Sequence, residues 1–215
     1  ASEGMTGNLM VGYTNYAGIL LSNCLQEFRE CYPGIRLHFE SRNPSVLLEH
    51  LRSGELDMIF SPVFNSAVYE GCFIQEVEKI SLLAILPSKH PLAGRHHLTR
   101  TDLVREKLIL ACTPDSKIGE DTLILDSFLQ TGQQPNIVEK LEDIETILLM
   151  INVGMGISIL PSYFILPVSN DRRIVAIPYE PDVRVEYAAI CLEDNEKPAL
   201  KHMKQFLQER YIRNM

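Results

Sequence analysis

Twice in this chain, about a hundred residues apart, short apolar strands alternate with amphipathic helices in the order strand, helix, strand, helix, strand. No other feature narrows the fold as far, because parallel strands need crossover helices and so demand a layered α/β architecture. The first passage opens with a strand over 8–13. Its helix places Ala17, Leu20, Leu21, Cys24, Leu25 and Phe28 on one stripe, and Pro33-Gly34 stops it. An alternating strand follows over 35–40. Asn43 then caps a second helix with Pro44 at its first position, Leu47, Leu48 and Leu51 supply the apolar face, and Gly54 ends it. Residues 57–60 form a third strand, apolar on both faces as in a buried parallel sheet.

The second passage repeats this layout. It has a strand over 107–111, a helix over 119–131 carrying Leu123, Ile124, Phe128 and Leu129, and a strand over 136–139. Asp143 caps the next helix, which bears Ile144, Ile147, Leu148 and Ile151, and a strand follows over 157–160. Local echoes support the match, as between Phe28…Pro33…Ile35 and Phe128…Pro135…Ile137. Apolar strands over 80–86 and 186–192 stand outside both passages. The C-terminal helix carries Leu200, Met203, Phe206, Leu207 and Tyr211 on one face and must complete the first lobe. The expected fold is therefore α/β with two Rossmann-like lobes, 1–62 plus 193–215 and 63–192. Two crossing strands near 61–64 and 192–194 would serve as a hinge.

Bulk properties exclude several functions. Apolar residues make up 46% and charged residues 22%, ordinary for a globular protein, and no apolar run approaches the roughly 18–20 residues of a membrane span. The net charge of −8 opposes direct grip on a phosphate backbone. The basic residues near the C-terminus (Lys197, Lys201, His202, Lys204, Arg210, Arg213) read as a solvated helix face. Five cysteines without a C-x-x-C pair suggest mostly buried thiols in a reducing cytoplasm. Residues 1–8 have neither the basic nor the apolar region of a signal peptide.

In open parallel sheets, ligands sit beyond the carboxyl ends of the strands. Those ends here run into Thr14-Asn15-Tyr16, Ser41-Arg42-Asn43-Pro44-Ser45 and Thr113-Pro114-Asp115-Ser116. Helix N-termini at such places favour anions, yet any one of these residues is explained by capping alone, so the case rests on their joint position. Arg42 and Lys117 favour an anionic ligand and Asp115 opposes one, which leaves the ligand's sign open. Catalytic signatures are weak: there is no G-x-S-x-G elbow and no P-loop. Gly154-Met155-Gly156 reads as a helix C-cap, and the His96-His97 pair lacks metal-ligand spacing. Glu139, Glu142, Asp143 and Glu145 are helix-dipole partners. Cys112, at a strand end, has only Lys117 nearby to activate it, so a structural thiol outweighs a nucleophile. A module that closes on a small molecule without transforming it is expected, with no metal and no cofactor.

Several segments together resemble the effector-binding domain of LysR-type transcriptional regulators. They are Gly7-Asn8-Leu9-Met10-Val11-Gly12, Phe28-Arg29-Glu30-Cys31-Tyr32-Pro33-Gly34-Ile35, Leu51-Arg52-Ser53-Gly54-Glu55-Leu56-Asp57-Met58, His90-Pro91-Leu92 and Val153-Gly154-Met155-Gly156-Ile157-Ser158-Ile159-Leu160-Pro161. The resemblance implies a periplasmic-binding-protein-like (type 2) fold with an inducer cleft between two lobes. It maps ligand contacts to Thr14, Asn15, Tyr16, Asn43, Pro44, Ser45, Ser61, Thr113, Pro114, Asp115 and Ser116. Many relatives carry a hydroxyl residue where Pro44 stands, which leaves Asn43 and Ser45 as alternatives for that role.

The family's winged helix-turn-helix and linker helix are not among these residues. The resemblance therefore implies a sensor domain whose DNA contacts, and any contact with RNA polymerase, belong to the intact protein. It also implies a homodimer or tetramer, pairing the helix over 17–31 and the strand over 35–40 with the partner's helix over 122–131. The alternatives are a solute-binding receptor of a transport system and a cleft enzyme using Cys112.

Overall fold

The computed structural model describes residues 6–112, 120–165, 172–179 and 184–212. The chain divides into two compact units, Ala1–Lys79 with Glu186–Met215, and Ile80–Val185.

In the first unit, β1 (Gly7–Thr14) lies between β2 (Ile35–Arg42) and β3 (Met58–Val63), all parallel. β9 (Arg184–Leu192) joins β3 antiparallel, from Ile59 opposite Ile190 to Val63 opposite Glu186, and β4 (Cys72–Pro87) follows in the sheet order. α1 (Gly18–Cys31) buries Leu21, Cys24 and Phe28, the centre of the predicted stripe. α2 (Pro44–Ser53) begins as expected, with Asn43 Oδ1 accepting from the Val46 N–H at 3.0 Å, and ends on Gly54 at φ +81°. α2 packs close to β1. A Cβ at Gly12 would come within 2.6 Å of both Leu47 Cδ2 and Leu56 Cδ1.

Asp57, just before β3, fastens the unit. Its Oδ2 accepts from the Met10 N–H at 2.8 Å and from Lys197 Nζ at 2.7 Å, while its own N–H donates to Met10 O at 2.8 Å. Lys197 precedes α6 (Pro198–Ile212), so one carboxylate ties β1, β3 and the terminal helix together. Other basic residues of that helix are also engaged: Lys201 with Glu196, Arg210 with Glu27, and Lys204 over the Phe73 ring. Lys201 and Glu196 are 56% and 75% exposed, as a solvated face requires, and the expectation is corrected only at Arg210 and Lys204.

In the second unit, β5 (Lys107–Ala111) runs parallel to β6 (Asn136–Leu141), with α4 (Glu120–Leu129) and α5 (Ile144–Asn152) between the successive strands. β5 also bonds at Ile157, before β7 (Ser158–Pro161): Ile109 N–H donates to Ile157 O and Ile157 N–H to Lys107 O, both at 2.8 Å. The distal half of β4 pairs antiparallel with β7 on one side and with β8 (Ile174–Pro178) on the other. Each unit thus has a parallel trio in the order second, first, third, continued by an antiparallel strand from elsewhere in the chain. The repeated layout read from the sequence is this arrangement.

The chain crosses between units at 79/80 and 185/186, whereas the sequence suggested 62/63 and 192/193. Residues 63–79 stay with the first unit for two reasons. A 3-10 turn at Ser66–Tyr69 buries Tyr69, and Arg52 Nη2 of α2 donates to Val68 O (2.9 Å) and Glu70 O (3.4 Å). β4 is also twice the expected length, because polar residues at 75–79 mask the apolar pattern before Ile80. Likewise β9 from Glu186 onward is held by its ladder with β3. The short helix α3 (Arg100–Leu103) and strand β8 were not expected from the sequence. Cys24, Cys72 and Cys191 are buried, and Cys31 is exposed at the end of α1. Among the described residues, no helix is long and apolar enough to cross a membrane.

Candidate functional site

Because β2, β1 and β3 are parallel and adjacent, their carboxyl ends share one edge of the first unit. The register sets Tyr13 opposite Ser41 and Phe60, and Thr14 opposite Arg42; Thr14 and Ser61 are the residues that follow the last β1–β3 pair. Of the eleven residues expected to bind ligand, seven lie here: Thr14, Asn15, Tyr16, Asn43, Pro44, Ser45 and Ser61. Thr113, Pro114, Asp115 and Ser116 lie outside the described residues.

The rim is internally braced. Ser41 Oγ donates to Asn15 Oδ1 at 2.7 Å, linking the β1–α1 turn to the end of β2. Tyr16 has φ +68°, the sole positive value at a non-glycine among the described residues. A tyrosine held in that region stores strain, which clusters at functional sites. α1 starts at Ala17 with no side-chain cap, so neither Thr14 nor Asn15 plays the capping role open to it. Asn43 does cap, and for that residue the ordinary explanation holds. Arg42 lies 3.1 Å from Glu40, so its charge is compensated and lends little pull on an anion.

Thr14 and Ser61 are buried, unlike the exposed Asn15. Thr14 Oγ1 lies 3.0 Å from the Tyr187 hydroxyl, which donates to Phe60 O at 3.0 Å. A phenol has a single hydrogen. With it committed to Phe60 O, Tyr187 accepts from Thr14, whose hydroxyl can then only accept from a ligand. Burial drives the Tyr187 pKa upward, against the hydrogen bonds from Thr14, so the phenol keeps its proton. Tyr187 thereby pins the ends of β1 and β3 from β9.

A second buried phenol, Tyr69, stands near Ser61. Its pKa is also raised by burial, partly offset by the Ser61 side chain. The Ser61 hydroxyl lies 3.4 Å from Pro62 O. Neither tyrosine was singled out in the sequence. The available signal for Tyr187 was a large polar side chain in an otherwise apolar strand next to Ala188 and Ala189.

The thiols give little support to covalent chemistry. Burial raises the pKa of Cys24 and Cys72 and pushes Cys191 up to about 11, so these thiols remain protonated. Cys112, half-buried past β5, donates its N–H to Leu141 O at 2.9 Å.

Comparison with known proteins places this architecture. The family model described as the LysR substrate binding domain matches residues 2–211. The uncharacterized HTH-type transcriptional regulator YnfL of Escherichia coli (strain K12) is 27% identical over 204 residues, covering 94% of this chain and 68% of the relative. The HTH-type transcriptional regulator AlsR of Bacillus subtilis (strain 168) is 25% identical over 211 residues, covering 94% of this chain and 66% of the relative. The chain thus spans about two thirds of the length of these relatives. Among solved structures, the BenM effector binding domain with its effector benzoate superposes with a TM-score of 0.75. It is 18% identical and covers 96% of this chain and 93% of that chain, a likeness of fold. The two units are the lobes of the type 2 periplasmic-binding-protein-like fold of LysR effector-binding domains. With the family model matching nearly end to end and the βαβαβ trio present in both units, the chain belongs to the LysR substrate-binding domain family.

Proposed function

We propose that this domain senses a small-molecule effector for a transcriptional regulator and does not transform it. The observation that carries the reading is the gathering of Thr14, Asn15, Tyr16, Asn43, Pro44, Ser45 and Ser61 at the carboxyl edge of one parallel trio. The effector contacts this rim, with Thr113, Pro114, Asp115 and Ser116 as further contacts. The BenM structure with benzoate supports a small ligand in this fold. DNA binding belongs to the remainder of the intact, cytoplasmic regulator, in keeping with the net charge of −8 here. The raised pKa values of Cys24, Cys72 and Cys191 speak against those three thiols as nucleophiles.

The domain self-associates through the α1 and β2 face. That face holds a groove of about 590 Å³ lined by Tyr13, Leu21, Leu25 and Phe39, with Ile19 62% and Phe39 52% exposed. Large apolar side chains left open at this density need a partner. Leu129 of α4, 61% exposed, is the complementary element in a second copy.

A thermal-shift screen with small carboxylates, amino acids and aromatic acids tests the sensing role. Ser45→Arg, at a half-buried rim position, should abolish ligand-induced stabilisation while the unliganded domain melts as the parent does. Unchanged stabilisation in Ser45→Arg would place the site elsewhere. Thr14 is unsuited to this test, because a bulky residue there would break its bond to Tyr187.

A further inference from the structure

The second unit holds a pocket of about 280 Å³ that is lined by none of the rim residues. Its floor is apolar. Leu82 of β4, Ile124 of α4 and Tyr179 just past β8 are each at most 2% exposed, and half-buried Leu123 adds to them. Its mouth is polar, with Arg100 and Ser127 half-buried and Asp126 and Gln130 exposed. The share from α4 follows from helix geometry: Leu123, Asp126, Ser127 and Gln130 are spaced i, i+3, i+4 and i+7, so they occupy one face.

The walls are already tied together. The Tyr179 N–H donates to Leu82 O at 3.0 Å, and the Leu98 N–H donates to Pro178 O at 2.9 Å, fixing the chain that leads into α3. Arg100, the first residue of α3, reaches across to α4, where its Nη1 donates to Ser127 O at 2.7 Å. Capping a late carbonyl of α4 accounts for that bond, and it holds the guanidinium at the mouth. The Ser127 hydroxyl donates to Ile124 O at 2.6 Å. Its single hydrogen is thereby spent, and toward the pocket Ser127 Oγ can only accept. Walls fixed in this way have little to order when a ligand enters.

The mouth carries both signs of charge. Arg100 attracts a carboxylate and repels an ammonium, and Asp126 does the reverse. A ligand of one sign therefore loses at one residue what it gains at the other, whereas a zwitterion suits both. Arg100 and the Gln130 amide offer donors to a carboxylate; Asp126 and Ser127 Oγ offer acceptors to an ammonium. The floor calls for a hydrocarbon side chain. At ~30 Å³ for each water-sized group, the pocket has room for about nine non-hydrogen atoms, the size of leucine or isoleucine. We propose that this pocket binds a free apolar α-amino acid of leucine size, as a second small-molecule site independent of the rim.

The test is calorimetric titration with L-leucine, with 4-methylpentanoate, which lacks its ammonium, and with 3-methylbutylamine, which lacks its carboxylate. L-leucine should bind at least about tenfold tighter than either, since each analogue forfeits one charge-assisted contact. Asp126→Asn should weaken L-leucine about tenfold and leave 4-methylpentanoate no weaker. Gln130→Trp, at an exposed position, should close the mouth and abolish binding, while Ser45→Arg leaves it as in the parent. Failure of the parent to bind L-leucine or L-isoleucine overturns the proposal, as does equal affinity for L-leucine and either analogue. Binding that survives Gln130→Trp overturns it too. If that binding is lost in Ser45→Arg, the amino acid belongs to the rim, so effector sensing stands and only this inference falls. Should Gln130→Trp melt below the parent, Asp126→Asn decides in its place, and unchanged L-leucine affinity there refutes the site.

Discussion

Replacing Asp57 should unfasten the first unit at two places at once. Asp57→Ala leaves the Met10 N–H without its acceptor and Lys197 without its counter-ion. Breaking a buried pair by removing one partner costs about 3–5 kcal/mol. Asp57 meets that description, its side chain being 10% exposed, but Lys197 is 37% exposed and can turn to water. The ion-pair share is therefore discounted toward the ~0–1 kcal/mol of surface pairs. The charged hydrogen bond to the Met10 N–H keeps its full weight of about 1.5–3 kcal/mol. The sum is about 3 kcal/mol for Asp57→Ala and about 1 kcal/mol for Lys197→Met. At roughly 2–4 °C per kcal/mol for a chain of this size, Asp57→Ala should melt about 6–12 °C lower. Asp57→Asn keeps an acceptor for Met10 and should fall between the two. Melting curves measure the size, and hydrogen exchange measures the place: amides of β1 and β3 should lose protection while those of β5 and β6 do not. Two results would refute the reasoning: an Asp57→Ala shift within about 1 °C of the parent, or Lys197→Met as costly as Asp57→Ala.

Two glycines next to helix ends should respond differently to alanine. At Gly156 a Cβ would sit 2.6 Å from Lys107 O, so β5 must move and the cost is about 1–3 kcal/mol in denaturant titration. At Gly54 there is open space and only φ +81° to strain, costing about 1 kcal/mol; a Gly156→Ala change no worse than Gly54→Ala would contradict the close approach of strand and turn. The Asp102 carboxyl is held below the usual carboxylate range, chiefly by the Thr99 N–H and hydroxyl in the cap of α3. A carboxylate with a depressed folded pKa stabilises fully above its unfolded value and loses that contribution as pH falls through the folded one. Asp102→Ala should thus cost about 1 kcal/mol at neutral pH, and the gap from the parent should close as the pH drops below about 4; a gap independent of pH would refute it.

The pattern of apolar residues located most elements because helix and strand periods differ and each face must be buried. It failed at the proximal half of β4, where Gln75, Glu76, Glu78 and Lys79 interrupt the apolar run. Backbone pairing, not side-chain pattern, makes that strand. The error moved the crossing points, since Arg52 and the β3–β9 ladder hold residues 63–79 and 186–192 in the first unit. For the rim, strand ends were readable as positions, while the roles of their side chains were not. Asn43 proved a cap, Arg42 was neutralised by Glu40, and Thr14 was committed to Tyr187, a residue 173 positions away.

By itself, then, the sequence determined the two βαβαβ trios, their caps at Asn43 and Asp143, and the family, because each depends on residues near one another in the chain. Only the tertiary structure decided that Asp57 grips Met10 and Lys197 and that Tyr187 consumes the donor of Thr14. Those facts turn on distances of about three ångströms between residues remote in the chain, which no local pattern records.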